Sequence, residues 1–145
     1  MTLYDTDFYA WTQEQTALLR EGAWGELDLE HLIEEMEGLA RSDYRAVSSA
    51  VYQILVHLLK WRHQPRRQGK RWRSSLVEHR NRLEDDLTAT LRAALPEMVA
   101  AQYPRACRKA SAETGLPLTM FPETCPWKVE QILDHEYYPD GEALP

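Results

Sequence analysis

At 145 residues, with 43% apolar and 28% charged side chains and a formal net charge of −6, the chain has the size of one domain around one hydrophobic core. That balance excludes a disordered chain, and the longest apolar run, Ile54 to Leu59, is interrupted by His57 and far shorter than the roughly 20 residues of a membrane-spanning helix. Acids stand near the N-terminus where a secretory leader carries bases, so a cytoplasmic protein with no membrane partner is expected.

In chain order, Tyr4 to Glu21 reads as a first helix, capped by Asp5 or Thr6, with Phe8, Trp11, Leu18 and Leu19 inward and Gly22 as its stop. Asp28 is the N-cap of a second pattern whose apolar positions are Leu29, Leu32, Ile33, Met36, Ala40, Tyr44, Val47, Val51, Ile54, Leu55 and Leu58. The three-to-four spacing runs unbroken to Trp61 or Arg62, which favours one long helix; two helices broken near Arg41 to Asp43 are the alternative. Gln64-Pro65 ends it, because the proline ring restricts the residue before it and removes a donor.

A third helix is expected from about Arg71 to Leu95, with Trp72, Leu76, Leu83, Leu87, Leu91 and Leu95 on one stripe and Pro96 closing it. Glu97 to Thr114 is helical in composition, kinked or interrupted at Pro104 and ended by Gly115. Three prolines make Leu116 to Pro126 a loop, and a short helix from Cys125-Pro126-Trp127 reaches about Leu133. The fold class is therefore all-α: a single helical domain over residues 1–145, built on an antiparallel hairpin of the second and third helices, with residues 135–145 a poorly ordered tail.

Charge is strongly segregated. Residues 1–43 carry eleven acids and two bases, whereas His57 to Arg82 holds nine of the seventeen bases, two of the five tryptophans and one acid, Glu78. With the turn near Arg66, paired positions sum to about 132, which sets Arg45 beside Asp86 as an ordinary surface ion pair. The basic residues then fall at the hairpin tip, where the acidic first helix is not expected to reach; the C-terminal acids Asp134, Glu136 and Asp140 are the candidates to shield it. Bases flanking tryptophans engage phosphates and stack on nucleobases, so Lys60, Trp61, Arg62, Arg66, Arg67, Lys70, Arg71, Trp72 and Arg73 are the candidate contacts for a partner protein or a nucleic acid. The competing reading packs the tryptophans across the hairpin and leaves the arginines to solvate its end.

Catalytic patterns are scarce. No phosphate-cradling or dinucleotide glycine motif and no His-Glu-x-x-His pair occurs, so no cofactor is expected. Cys107 and Cys125 form no Cys-x-x-Cys pair; Cys125, at a helix start, is either a thiol of lowered pKa or a small buried or capping residue. His31 with Glu34 and Glu35 is the one metal-like spacing, read against a solvated acidic face, and His57 is a base or ligand candidate read against a satisfied boundary residue.

Several stretches carry a resemblance taken together: Tyr-Asp-x-Asp-Phe-Tyr-Ala-Trp at residues 4–11, Leu-Asp-Leu-Glu-x-Leu-Ile-Glu-Glu at 27–35, His-Leu-Leu-Lys-Trp-x-x-Gln-Pro at 57–65, Trp72 with Arg80, Glu-Thr-Gly-Leu at 113–116 and Phe-Pro-Glu-x-Cys-Pro-Trp at 121–127. The chain resembles the bacterial domain-of-unknown-function family twenty-nine, common in cyanobacteria, although it has Arg62-His63 where members often carry Gln-Tyr. The resemblance implies a small all-helical protein and supplies no catalytic residue. The expected function is a non-enzymatic protein-interaction module, with self-association through opposite charges open. Nucleic-acid binding at the tip and a metal-dependent enzyme are the alternatives.

Overall fold

The structure, a computed structural model, describes residues 1–140. These form seven α-helices and no strand, in two compact units, Met1–Ser42 and the chain from Asp43 onward.

In the first unit the expected N-terminal helix is two helices, α1 (Leu3–Thr6) and α2 (Phe8–Glu21). The break has a local cause. Thr2 donates its N–H and hydroxyl to the Asp5 carboxylate, which closes α1 on itself, while Asp7, with a non-helical backbone (φ −151°, ψ 82°), starts α2 by accepting from the Ala10 N–H at 3.1 Å. Gly22 ends α2 in the left-handed conformation (φ 71°), as the sequence predicts. Trp11 is buried, but Phe8 and Leu19, expected inside, are exposed, and the buried neighbour of Trp11 is Gln15.

Helix α3 (Leu29–His63) is continuous, so the chain takes the one-helix alternative, about 52 Å at 1.5 Å per residue. Asp28 starts it, accepting the His31 N–H. In the second unit Pro65–Arg67 form a single 3₁₀ turn and α4 (Lys70–Asp86) follows. The hairpin is antiparallel near the predicted register: the Lys60 ammonium sits 5.0 Å from the Trp72 ring centre and the rings of His57 and His79 are 5.7 Å apart.

The third helix stops earlier than expected. Leu87 turns extended and the Thr88 hydroxyl caps a new helix, α5 (Ala89–Ala93), by accepting from Leu91 N–H at 3.3 Å. Asp86 is therefore a helix terminus, and Arg45 and Asp86 form no ion pair among the described residues. Helix α6 (Leu95–Thr114) opens with Pro96 in its first turn, runs through Pro104 without interruption and ends at Gly115 (φ 76°). It lies parallel to α3, since Gln102 donates to Ser48 at 2.7 Å near the middle of both helices and Lys60 donates to Glu113 at 2.9 Å near the C-terminal end of both. A 3₁₀ turn, Leu118–Met120, interrupts the following loop, and α7 (Val129–Leu133) starts later than Cys125.

The core is the seam between these helices: Val47, Val51, Ile54, Leu55, Leu58 and Leu59 of α3 against Leu76 and Leu83 of α4, Leu95, Met98, Ala106 and Ala110 of α6, and Ile132 of α7. Tyr137 and Tyr138 pack on it and Pro139 is buried, so the part of the expected loose tail up to Asp140 is held; the remainder, residues 141–145, lies outside the described residues.

Full burial of Leu58 predicts that Leu58→Ala lowers unfolding free energy by about 2–5 kcal/mol in urea, whereas Leu39→Ala, on the same helix but 64% exposed, changes it by no more than about 0.5 kcal/mol. Equal losses at the two positions would contradict this division of the helix.

Candidate functional site

The nine sequence-predicted contact residues divide into a packed set and an exposed set. Trp61 is buried, its ring 4.8 Å from that of Tyr138, and Gln68 caps its carbonyl at 2.9 Å. Lys60 is only 14% exposed, held between Glu113 and the face of Trp72, which is itself half-buried. Arg73 is exposed yet lies over Tyr138 at 4.8 Å, and Arg62 is half-buried. Arg66, Arg67, Lys70 and Arg71 are exposed and form no ion pair among the described residues.

Trp61 thus serves the hairpin as a packing anchor, while Trp72 is half-buried with the Lys60 ammonium over its ring. The acid that shields Lys60 is Glu113, at the end of α6, rather than Asp134, Glu136 or Asp140, because α6 runs parallel to α3 and finishes beside the tip. Burial acts to raise the Glu113 carboxyl, but Lys60, and after it Lys109, outweigh this and hold it below the usual range.

Beside this pair a cleft of about 440 Å³ is lined by Gln53, Val56, His57, Lys60, Arg71, Trp72, Ser75 and Glu113. His57 Nδ1 donates to the Gln53 carbonyl at 2.8 Å, so its tautomer is fixed and Nε2 carries the lone pair. Burial lowers its pKa, and burial together with His57 lowers that of His79. A neutral acceptor, an ammonium and an indole face are thereby brought together.

In the first unit His31 is committed elsewhere. Its Nδ1 pairs with Asp28 Oδ2 at 2.7 Å, the same oxygen accepts from Trp11 Nε1 at 3.0 Å, and Gln15 Oε1 accepts the Asp28 N–H at 2.9 Å. The Tyr4 ring stacks on His31 at 4.0 Å and its hydroxyl donates to Glu35, a bond that pushes the Tyr4 pKa up to about 12. Glu34 and Glu35 do not converge with His31, and no cluster of three metal-capable side chains exists among the described residues. Cys125 gives no support to an activated thiol either: burial raises its pKa, and its sulfur contacts the Trp127 carbonyl at 3.6 Å.

Sequence reasoning missed two features. The positions Leu29, Ile33 and Met36, assigned to the core by their spacing, are 59%, 57% and 66% exposed. Residues 31, 32, 35 and 38 are the more sheltered positions of the same turns. Arg80 is 2% exposed, donating Nε to the Ile132 carbonyl at 2.9 Å and Nη2 to that of Gln131 at 3.2 Å. Its signal was present, since residue 80 follows Leu76 by four and precedes Leu83 by three on the inward stripe.

Fold and surfaces together define a small all-α protein built on a long helical hairpin, with an apolar, acidic first unit and a basic tip. The model of the family described as "Domain of unknown function DUF29" matches residues 3–138, and the chain belongs to that family. No curated protein and no solved structure matches it.

The histidines titrate in opposite senses. The bond to Asp28 raises the His31 pKa, so its contribution to stability is complete below the unfolded value of about 6.5 and is lost as pH rises through the folded value. His57 and His79 are depressed, so their contribution is complete above about 6.5 and is lost as pH falls through their folded values. A proton NMR titration of the imidazole resonances should place the His31 midpoint above about 6.5 and those of His57 and His79 below it; a His31 midpoint below the other two would contradict the assignment.

Proposed function

We propose that the protein is an interaction module whose first unit receives a basic amphipathic helix of a partner protein. One observation carries this reading: Leu29, Ile33 and Met36, a turn apart on α3, expose more than half of their surface in water. Tyr9 and Trp24 of the same unit are exposed as well. Contiguous apolar surface of this kind costs solubility and is retained where something covers it.

The occupant is identified by charge. Residues 1–42 hold ten acids against two bases, and Glu30, Glu34 and Glu37 alternate with the apolar positions along the helix. A second copy pairing through the same stripe would set acids against acids, whereas a helix with an apolar stripe and flanking lysines or arginines satisfies both the stripe and the field. The exposed cations Arg66, Arg67, Lys70 and Arg71 belong to the second unit and take no part in this contact. Of the two tryptophans beside them, Trp61 is buried and Trp72 is half-buried beneath Lys60, which leaves little aromatic surface for base stacking.

A fluorescent amphipathic peptide of alternating Leu and Lys turns tests the reading. The full chain should bind it in a salt-sensitive manner, and the Ile33→Glu, Met36→Glu double variant should weaken binding at least about tenfold at unchanged helicity, since both positions are already exposed. Equal binding by a Glu-flanked peptide, or no effect of the double variant, would sink it. So would sedimentation showing a dimer that the double variant dissolves, because a second copy would then be the occupant.

A further inference from the structure

A second cleft, of about 340 Å³, lies in the other unit between the end of α4, the start of α5 and the segment after α7, lined by Arg80, Glu84, Leu87, Thr88, Ala89, Arg92, Leu133 and His135. Its charge balance is unusual. Arg80 is fully buried, and neither it nor Arg92 forms an ion pair among the described residues. Two of the three Arg80 nitrogens serve main-chain carbonyls; the third, Nη1, has no hydrogen-bond partner. Asp134 favours the charged guanidinium from a distance, and Tyr138 lies over it at 5.6 Å, but neither is a counter-ion in contact. A buried guanidinium remains protonated, so the cation is left with neutral oxygens and a π face.

The acid in the cleft is already engaged. Glu84 Oε2 contacts His135 Nε2 at 3.1 Å, and Glu84 forms no ion pair with Arg80 among the described residues. Arg92, by contrast, is exposed, with five donors free to meet a solute, and Thr88, whose hydroxyl oxygen accepts from the Leu91 N–H, still has its own O–H to donate. The wall therefore combines a fixed buried positive charge, an exposed guanidinium and a hydroxyl donor, the set that planar and tetrahedral oxyanions take.

We infer that this cleft binds a small oxyanion, a carboxylate or phosphate group, contacted by Arg92 and Thr88 and held over the uncompensated charge of Arg80. The buried charge explains why the site favours an anion over water: the field of Arg80 is screened little on the protein side, so an anion entering the cleft recovers attraction that no side chain supplies. The inference is independent of the first unit and of the partner proposed for it.

The test is a titration of the ¹⁵N-labelled full chain with sodium phosphate and, separately, sodium acetate, each at constant ionic strength balanced with sodium chloride. The Nε–Hε signals of Arg80 and Arg92 should shift together and saturate with at least one of the two anions. Saturation with phosphate alone assigns a phosphoryl ligand, and saturation with acetate alone a carboxylate. Arg92→Gln, an exposed position whose loss leaves the core intact, should raise the apparent Kd at least fivefold, while Lys109→Gln, outside the cleft, should leave it unchanged. Linear, unsaturated shifts with both anions, or equal affinity in the Arg92→Gln and wild-type proteins, would overturn the site.

Discussion

The apolar seam of α3 between Val47 and Trp61 is the constraint on which the second unit depends. Val47, Val51, Ile54, Leu55, Leu58 and Leu59 are almost completely removed from water, and α4, α6 and α7 each contribute side chains to the same cluster. Burying a side chain of this kind stabilises by roughly 1.5–3 kcal/mol, so this one stretch of helix supplies a large share of the drive to fold. The polar contacts are then fitted around it. Ser48 with Gln102 and Lys60 with Glu113 fix the parallel course of α6, and Lys60 with Trp72 fixes the antiparallel course of α4.

What the sequence made legible follows from the same physics. Hydrophobic spacing located α3 as one helix, Pro65 located the turn, and glycines 22 and 115 located two helix ends, because in each case a short-range rule decides the outcome. The break at Asp7 was harder to see, since Asp5 and Asp7 are both capable caps and the choice depends on Thr2. Termination of α4 at Asp86 was hidden for a similar reason: the leucine spacing through Leu87, Leu91 and Leu95 continues undisturbed while Thr88 restarts the helix.

The candidate surfaces were legible in composition and less so in exposure. Periodicity shows that Leu29, Ile33 and Met36 share an apolar face with the positions that follow, yet it carries no information about whether another element covers that face. The same gap applies at the tip. A run of bases around two tryptophans specifies what is present, but Glu113 lies 53 residues from Lys60 in the chain and Tyr138 lies 77 from Trp61, so the packing of both depends on tertiary neighbours. Arg80 is the converse case, a charged residue whose position in the stripe did report its burial.

The bonds from Arg80 to α7 end on main-chain oxygens of Gln131 and Ile132. A joint made to a carboxylate would tie two side chains together, so that a change in one demands a change in the other. This joint asks only that the backbone of α7 pass at the right place. The bond from Arg80 is therefore indifferent to which side chain stands at position 131, where the Gln131 amide oxygen serves a separate purpose in accepting the Lys128 N–H at the start of α7, and the dependence of α7 on α4 would leave no paired substitutions there for an alignment to find.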